Sequence, residues 1–315
     1  MRITVIGNST IDLLVRPVDH DVFGKGSVPA EEIRMCCGGD ALNEAVMLAR
    51  MGHEVQLVSK TGRDDAGERI LSFLKENNVA ADHMIIDEHA ETSVNIVLVD
   101  EKGQRAFITN PSGSQRCLAK EDVLLVLDQA GEIVSFASIF VSSAMSIEDM
   151  TEVFRKIKEK NRILCADMTK AKHQETLQDL AGLLPYADYI FPNAQEAALL
   201  TGIDDPEVNA KKFIEAGVKH AVIKLGEEGC LLCTEEKMMH VPAYHTDHCT
   251  DTTGAGDSFA AGFIHALASG MTLEQCALFA NAAASCNVEH TGANTGIVSL
   301  KEPVRRYNEL CRRVK

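Results

Sequence analysis

Residues 251–263 read DTTGAGDSFAAGF, two carboxylates set among threonines and glycines just ahead of an apolar helical pattern. In DSFAAGFIHALASG, Phe259, Phe263, Ala266 and Leu267 recur at i, i+4, i+7 and i+8, so the spacing predicts a helix beginning near Ala255. Gly254, Ala255 and Gly256 carry almost no bulk, and backbone N–H groups there can approach a ligand closely. A helix N-terminus presents unsatisfied donors and the positive end of a dipole, which suits a phosphate or a developing anion. Asp257, in the same turn, can accept a proton from an attacking hydroxyl. Together these residues offer phosphoryl transfer a base and an anion hole. The plainer reading is an N-capping aspartate on a glycine-rich turn.

Such a turn has to be held by a scaffold, and the rest of the chain alternates. Strand-like runs occur at 2–8, 54–60, 132–141, 162–168, 187–193 and 219–226. Between them, 41–52, 66–78 and 147–161 space their apolar residues as helices do; the last places Met150, Val153, Phe154 and Ile157 on one face. Apolar strands alternating with helices predict an α/β fold, a three-layer α/β/α arrangement around a mostly parallel sheet. Residues 11–37 and 92–110 break the rhythm. They read as strands and turns, the second as a hairpin with EKGQ (101–104) at its tip, and predict a small β-sheet built from two insertions. With no repeat, low-complexity tract or linker, residues 1–315 read as one domain with that outgrowth.

The formal charge of −15 argues against binding nucleic acid or an anionic membrane, and any anionic substrate would need local basic groups. No run approaches the roughly 18 apolar residues of a spanning helix. The opening MRITVIGNST is too brief for a signal peptide's apolar core. Ten scattered cysteines, including the adjacent Cys36 and Cys37, read as reduced thiols of a cytoplasmic protein. Cys230, Cys233, His245 and His248 approach zinc-finger spacing. GCLLCT reads as a strand, however, where residues three apart point to opposite faces, so core thiols are the better account.

Several motifs in order then resemble one family. GAGDSF is similar to the C-terminal signature of the ribokinase (PfkB) family of carbohydrate and nucleoside kinases, and CGGDALNEA (37–45) to its N-terminal signature. GNSTID (7–12), GRDDAG (62–67), PNAQEAALLTG (192–202) and KLGEEG (224–229) resemble further family segments, so the likeness covers essentially the whole chain. The resemblance implies ATP and Mg²⁺, with Asp257 as base and the amides of Gly254, Ala255 and Gly256 around the transferred phosphoryl group. It implies substrate contacts from Asp12, Gly38, Gly39, Asp40 and Asn43, with Arg105 as a contact from a β-lid. On the nucleotide side it implies Lys224, Gly226, Gly229, Asn281 and Gly292, with Asn193 and Glu196 organising Mg²⁺ and its waters. Asn193 and Glu196 read equally as a helix cap, and Gly226 and Gly229 as a tight hairpin. Asp251 and the Thr253 carbonyl resemble a K⁺ site.

Two departures qualify this. Asp40 stands where ribokinases usually carry lysine, which favours a neutral polyhydroxyl substrate, and Gly296 stands where serine is common. The expected activity is ATP-dependent phosphorylation of a neutral sugar by a homodimer paired through the lid. The alternative is a nucleoside kinase of the same fold, although 5% aromatics and no Trp give little sign of a base-stacking pocket. A catalytically dead sugar- or nucleotide-sensing protein is the third reading, and the intact Asp257, Asn193 and Glu196 argue against it.

Overall fold

Apolar runs without alternation belong to strands buried on both faces, as a parallel sheet between helix layers requires. Every residue of IVSFASI (133–139) is buried. The computed structural model describes residues 1–19, 21–101 and 104–314, apart from the side chain of Arg105. The expected lid contact of Arg105 and the hairpin tip at Lys102 and Gly103 lie outside the described residues.

The chain opens with β1 (Arg2–Ile6), β2 (Thr10–Arg16), α1 (Val22–Lys25), β3 (Glu32–Gly38), α2 (Asp40–Arg50), β4 (Glu54–Gly62) and α3 (Asp65–Glu76). It continues with β5 (Val79–Ala80), β6 (Met84–Asp87), β7 (Val94–Val99), β8 (Arg105–Thr109), α4 (Lys120–Leu124), β9 (Ile133–Ile139), α5 (Ile147–Glu159) and β10 (Ile163–Met168). There follow β11 (Tyr189–Ile190), α6 (Ala194–Thr201), α7 (Pro206–Glu215), β12 (His220–Lys224), β13 (Cys230–Cys233) and β14 (Met238–Val241). Three helices close the chain: α8 (Ala255–Ala268), α9 (Leu273–Asn287) and α10 (Lys301–Arg313).

Among the described residues the main sheet runs β14-β13-β12-β11-β10-β9-β1-β4-β5, with β6 also paired to β4. It is parallel except for β13 and β14, which add antiparallel at one edge. One face packs on α2, α3, α8, α9 and α10 through Leu42, Ile70, Phe263, Phe279 and Leu310. The other packs on α4 to α7 through Val123, Phe154, Leu200 and Phe213. The three layers expected from the alternation are therefore present. Helix α5 shows how local chemistry agrees with packing: Ser146 and Asp149 form a reciprocal capping box, and Met150, Val153, Phe154 and Ile157 are all buried.

The second sheet has the order β3-β2-β7-β8. Its register sets Asp12 beside Cys36 and Asn95, with Thr109 opposite Asn95. By the period of two, Leu13, Val15, Ile33, Met35, Ile96, Leu98 and Ile108 share the other face. Cys230 packs in the core on the α9 side of the main sheet and Cys233 in the core on the opposite side, so the two thiols do not converge.

Strand β1 lies between β9 and β4, and the chain leaves it toward both sides. In open parallel sheets, this reversal opens a crevice at the carboxyl ends of the strands. The segments following β1, β10, β11 and β12 carry Asn8, Thr169, Asn193 and Leu225, and the candidate site forms there.

Candidate active site

Helix α8 starts on Gly254, whose φ of +73° is the left-handed conformation that favours glycine. A Cβ at this position would also stand 1.9 Å from the Ala293 carbonyl oxygen. Gly254→Ala should therefore cost about 2 kcal/mol or more and lower the melting temperature in calorimetry. The Ala255 N–H donates to the Thr252 carbonyl at 3.2 Å. Among the described residues no backbone acceptor engages the N–H groups of Gly256 and Asp257. Of the three amides expected to form the anion hole, Ala255's is thus engaged inside the turn.

Helix α2 begins immediately after Gly38 and Gly39 and packs along α8, with Met47 Sδ against Ser258 Oγ. Asn43 Nδ2 donates to Asp257 Oδ2 at 2.7 Å. Asp40 accepts from Ser138 Oγ at 3.3 Å, and the same hydroxyl donates to Asn8 Oδ1 at 2.6 Å. Burial pushes the Asp40 carboxyl up to about 6. Asp257 is raised well above the usual carboxylate range, first by burial and then by the charge of Asp40. Asp12 accepts from Asn95 Nδ2 at 2.8 Å and from Thr10 Oγ1 at 3.3 Å, and burial raises its carboxyl as well. Gly38 is needed for this arrangement, since a Cβ on it would lie 2.2 Å from Asp12 Oδ2.

A cavity of about 610 Å³ extends from Asp40 and Asp257 past Asn193, Glu196 and Lys224 to Gly226, Gly229 and Asn281. Asp12, Gly38, Gly39 and Asn43 are outside its lining. Asn193 and Glu196 form a reciprocal cap on α6, each side chain accepting the other's N–H at 2.8 Å. The helix-cap reading is therefore realised, and both residues also line the cavity. Asn281 Nδ2 donates to the carbonyls of Val241 and Pro242 at 3.1 and 3.0 Å, which ties α9 to the end of β14. Gly292 is not in the lining; its N–H donates to Asp251 Oδ2 at 2.9 Å. Asp251 Oδ1 accepts from the Thr253 N–H at 2.8 Å, and the Thr253 carbonyl accepts from Asn287 Nδ2 at 2.8 Å.

Three residues of this region were not singled out from the sequence. Asp167, at the end of β10, holds Lys224 Nζ through both oxygens at 2.9 and 2.7 Å. Burial pushes Asp167 up to about 7 against the pull of Lys224. In Lys224 burial acts downward, and Asp167, Glu196 and Asp257 reverse it. Asn294 donates to Asn43. Glu44, one residue beyond Asn43 in the sequence, is fully buried, accepts from Ser135 Oγ at 2.6 Å and leaves Oε1 without a partner. A signal existed for two of them: Asp167 is a charge near the end of the run RILCADM, and Glu44 a charge one helical turn from the apolar Ala41, Met47 and Leu48.

Burial raises Glu44 well above 4.5. A carboxyl raised in the folded state contributes stability below its unfolded pKa, and that contribution is lost as pH rises. Glu44→Gln should therefore melt higher than the native chain at pH 8, with about 2–4 °C gained per kcal/mol relieved. The gap should close as pH falls toward 4.5, which calorimetry across that range checks.

Comparison with known proteins decides what this crevice belongs to. Residues 1–300 match the pfkB family of carbohydrate kinases. The chain belongs to that family. This kinase is 28% identical over 303 residues to the ribokinase of Bacillus subtilis, covering 96% of this chain and 97% of that one. It is similar to the crystal structure of a ribokinase from Thermotoga maritima, with 26% identity, 97% and 99% of the two chains covered and a TM-score of 0.81. The structure of Arabidopsis thaliana ribokinase complexed with ribose and ATP superposes with a TM-score of 0.81 at 24% identity, covering 97% and 98%. The kinase is a phosphotransferase acting on a sugar hydroxyl, and its fold is ribokinase-like.

Proposed function

We propose that this kinase transfers the γ-phosphoryl group of ATP to a hydroxyl of a neutral, polyhydroxyl sugar, with Asp257 as the base. The observation that carries the reading is Asp257 beside its own N–H and that of Gly256 at the start of α8, at one end of a cavity large enough for a nucleotide. A hydroxyl placed against Asp257 loses its proton to the carboxylate as its oxygen attacks phosphorus. The helix-end amides meet the charge carried by the transferred group. Asp12, Asp40 and Asn43 supply acceptors and a donor to the sugar hydroxyls, while Lys224, Gly226, Gly229 and Asn281 form the nucleotide wall. The acidic wall of Asp40, Asp167, Glu196 and Asp257 favours a neutral sugar over an anionic one.

Asn193 and Glu196 offer oxygen donors on the cavity wall, which fit a hard cation that keeps most of its waters. They would hold Mg²⁺ through water, and bound Mg²⁺ would neutralise phosphate charge. Asp251 and the Thr253 carbonyl, with Gly292 tied to Asp251, offer the oxygen chemistry of a K⁺ site. We assign the four-stranded sheet of β2, β3, β7 and β8 the role of a lid within one kinase unit spanning the chain. Its face away from Asp12 is apolar on all four strands, with Ile33, Met35 and Ile108 exposed by 66%, 57% and 54%, which supports a homodimer paired there. All ten cysteines are thiols, which supports a reducing compartment such as the cytoplasm. Among the described residues no helix is long and apolar enough to cross a membrane.

The test is product identification. The protein is incubated with ATP, Mg²⁺ and single ketoses, aldoses, polyols or nucleosides, and products are read by ³¹P NMR and mass spectrometry. A sugar monophosphate from a neutral sugar supports the proposal, whereas product only from nucleosides would replace the sugar with a nucleoside acceptor.

A further inference from the structure

Asn294 belongs to the loop after α9 and is 5% exposed. Its Nδ2 donates twice, to the Cys37 carbonyl at 3.1 Å and to Asn43 Oδ1 at 2.7 Å. Asn43, 3% exposed, then donates through Nδ2 to Asp257 Oδ2 at 2.7 Å. The direction of this chain of hydrogen bonds is not free. A backbone carbonyl only accepts, so Cys37 fixes the Asn294 amide with its NH₂ group toward β3 and Asn43. That donor requires the oxygen of Asn43 to face it, and an amide whose oxygen faces one way turns its NH₂ the other. Asp257 Oδ2 is left to act as an acceptor, which an ionised carboxylate satisfies and a proton on that oxygen would block.

The loop is itself anchored on several sides. Gly292 N–H bonds Asp251, Gly296 N–H donates to Asn287 Oδ1 at 3.1 Å, and Arg50 Nη1 donates to the Ile297 carbonyl at 3.1 Å. Arg34 of β3 donates to the Thr291 carbonyl at 3.2 Å. Asn294 is the side chain by which this braced loop reaches the α2–α8 junction.

We propose that Asn294 is a positioning residue for the base: through Asn43 it fixes the donor that keeps Asp257 Oδ2 unprotonated and aimed. This rests on the reading of Asp257 given above. Asp257 is also faced by Asp40 and Glu44 on α2, Asp167 on β10 and Lys224 on β12, so it titrates within a cluster. Removing a donor from a carboxylate raises its pKa, so loss of Asn294 moves the acid side of the activity profile to higher pH.

The test uses Asn294→Ala, Asn43→Ala and the double variant of the full chain. Four readings are taken: the kcat–pH profile, KM for ATP, the melting temperature, and the carboxyl titration of Asp257 by ¹³C NMR of aspartate-labelled protein. The Asp257→Asn variant assigns that resonance. Each single variant should lower kcat at neutral pH about tenfold and raise the Asp257 titration midpoint by about one pH unit, with little change in KM for ATP. The double variant should be no worse than Asn43→Ala, because Asn294 acts through Asn43. Asn294→Ser, a smaller change that retains a donor, should recover part of the loss and serves if the alanine variant folds poorly. A lower melting temperature with an unmoved Asp257 midpoint would overturn the proposal, as would multiplicative losses in the double variant. Because the NMR midpoint does not depend on turnover, a base located elsewhere would show as activity retained in Asp257→Asn, whatever the midpoint does.

Discussion

Asp257→Asn is expected to retain binding of both sugar and ATP while kcat falls by about 10²–10⁴-fold, the usual contribution of a positioned general base. The substitution keeps the side-chain shape and a carbonyl oxygen that Asn43 Nδ2 can reach. It removes the negative charge and with it the capacity to take a proton. Calorimetric Kd values beside steady-state kcat separate the two effects. The pH dependence carries the same sign: burial and Asp40 raise the base, so native activity should climb with pH as Asp257 ionises. A variant that kept its kcat within about tenfold would move the base to another carboxylate of the cluster, with Asp40 the first candidate on position.

Lys224→Met should be the most destabilising single change in the site. Asp167 is buried and its two oxygens both hold Lys224 Nζ, so removing the ammonium leaves a buried charge unpaired, at a cost of about 3–5 kcal/mol. Asp167 can escape by binding a proton. Its carboxyl already stands near 7 with the lysine present and would rise further without it. The loss should therefore be larger at pH 8 than at pH 5, since a raised acid loses folded-state stability as pH rises. Denaturant unfolding at both values checks this. Asp167→Asn combined with Lys224→Met should recover a substantial part of the loss, because the unpaired charge is gone. Equal losses at pH 5 and pH 8, with no recovery in the double variant, would mean that Lys224 matters through packing of its stem.

What was legible in the sequence follows the physics that is local in the chain. The helix starting at Ala255, its glycine-rich entry and Asp257 in the first turn are all properties of a dozen consecutive residues, and they appear as expected. So do α5 and its apolar face, and the buried β9. The second sheet was readable as two interruptions of the α/β rhythm. Its order, with β2 parallel to β7 and antiparallel to β3, joins segments about eighty residues apart and has no local signal. The same limit explains the site. Asp167 with Lys224, and Asn294 with Asn43 and Asp257, are pairs made by the meeting of separate strands, helices and loops. Motif reading found Lys224 and Asn43 but not the partners that orient them. It also assigned Ala255 an open amide, which the tight turn at Thr252 takes up. Asn193 and Glu196 had two readings from spacing, cap and cation site, and the fold lets one pair serve the first while lining the cavity required by the second.

The central claim is that the crevice at α2 and α8 carries sugar-dependent phosphoryl transfer from ATP. The most direct measurement is the initial rate of ADP formation from ATP and Mg²⁺, with and without each member of a panel of neutral sugars, sugar acids and nucleosides. ADP formation that depends on a neutral sugar and disappears in Asp257→Asn is the predicted result. Tight ATP binding with no ADP formation from any member of the panel would contradict it and point to a nucleotide-sensing protein.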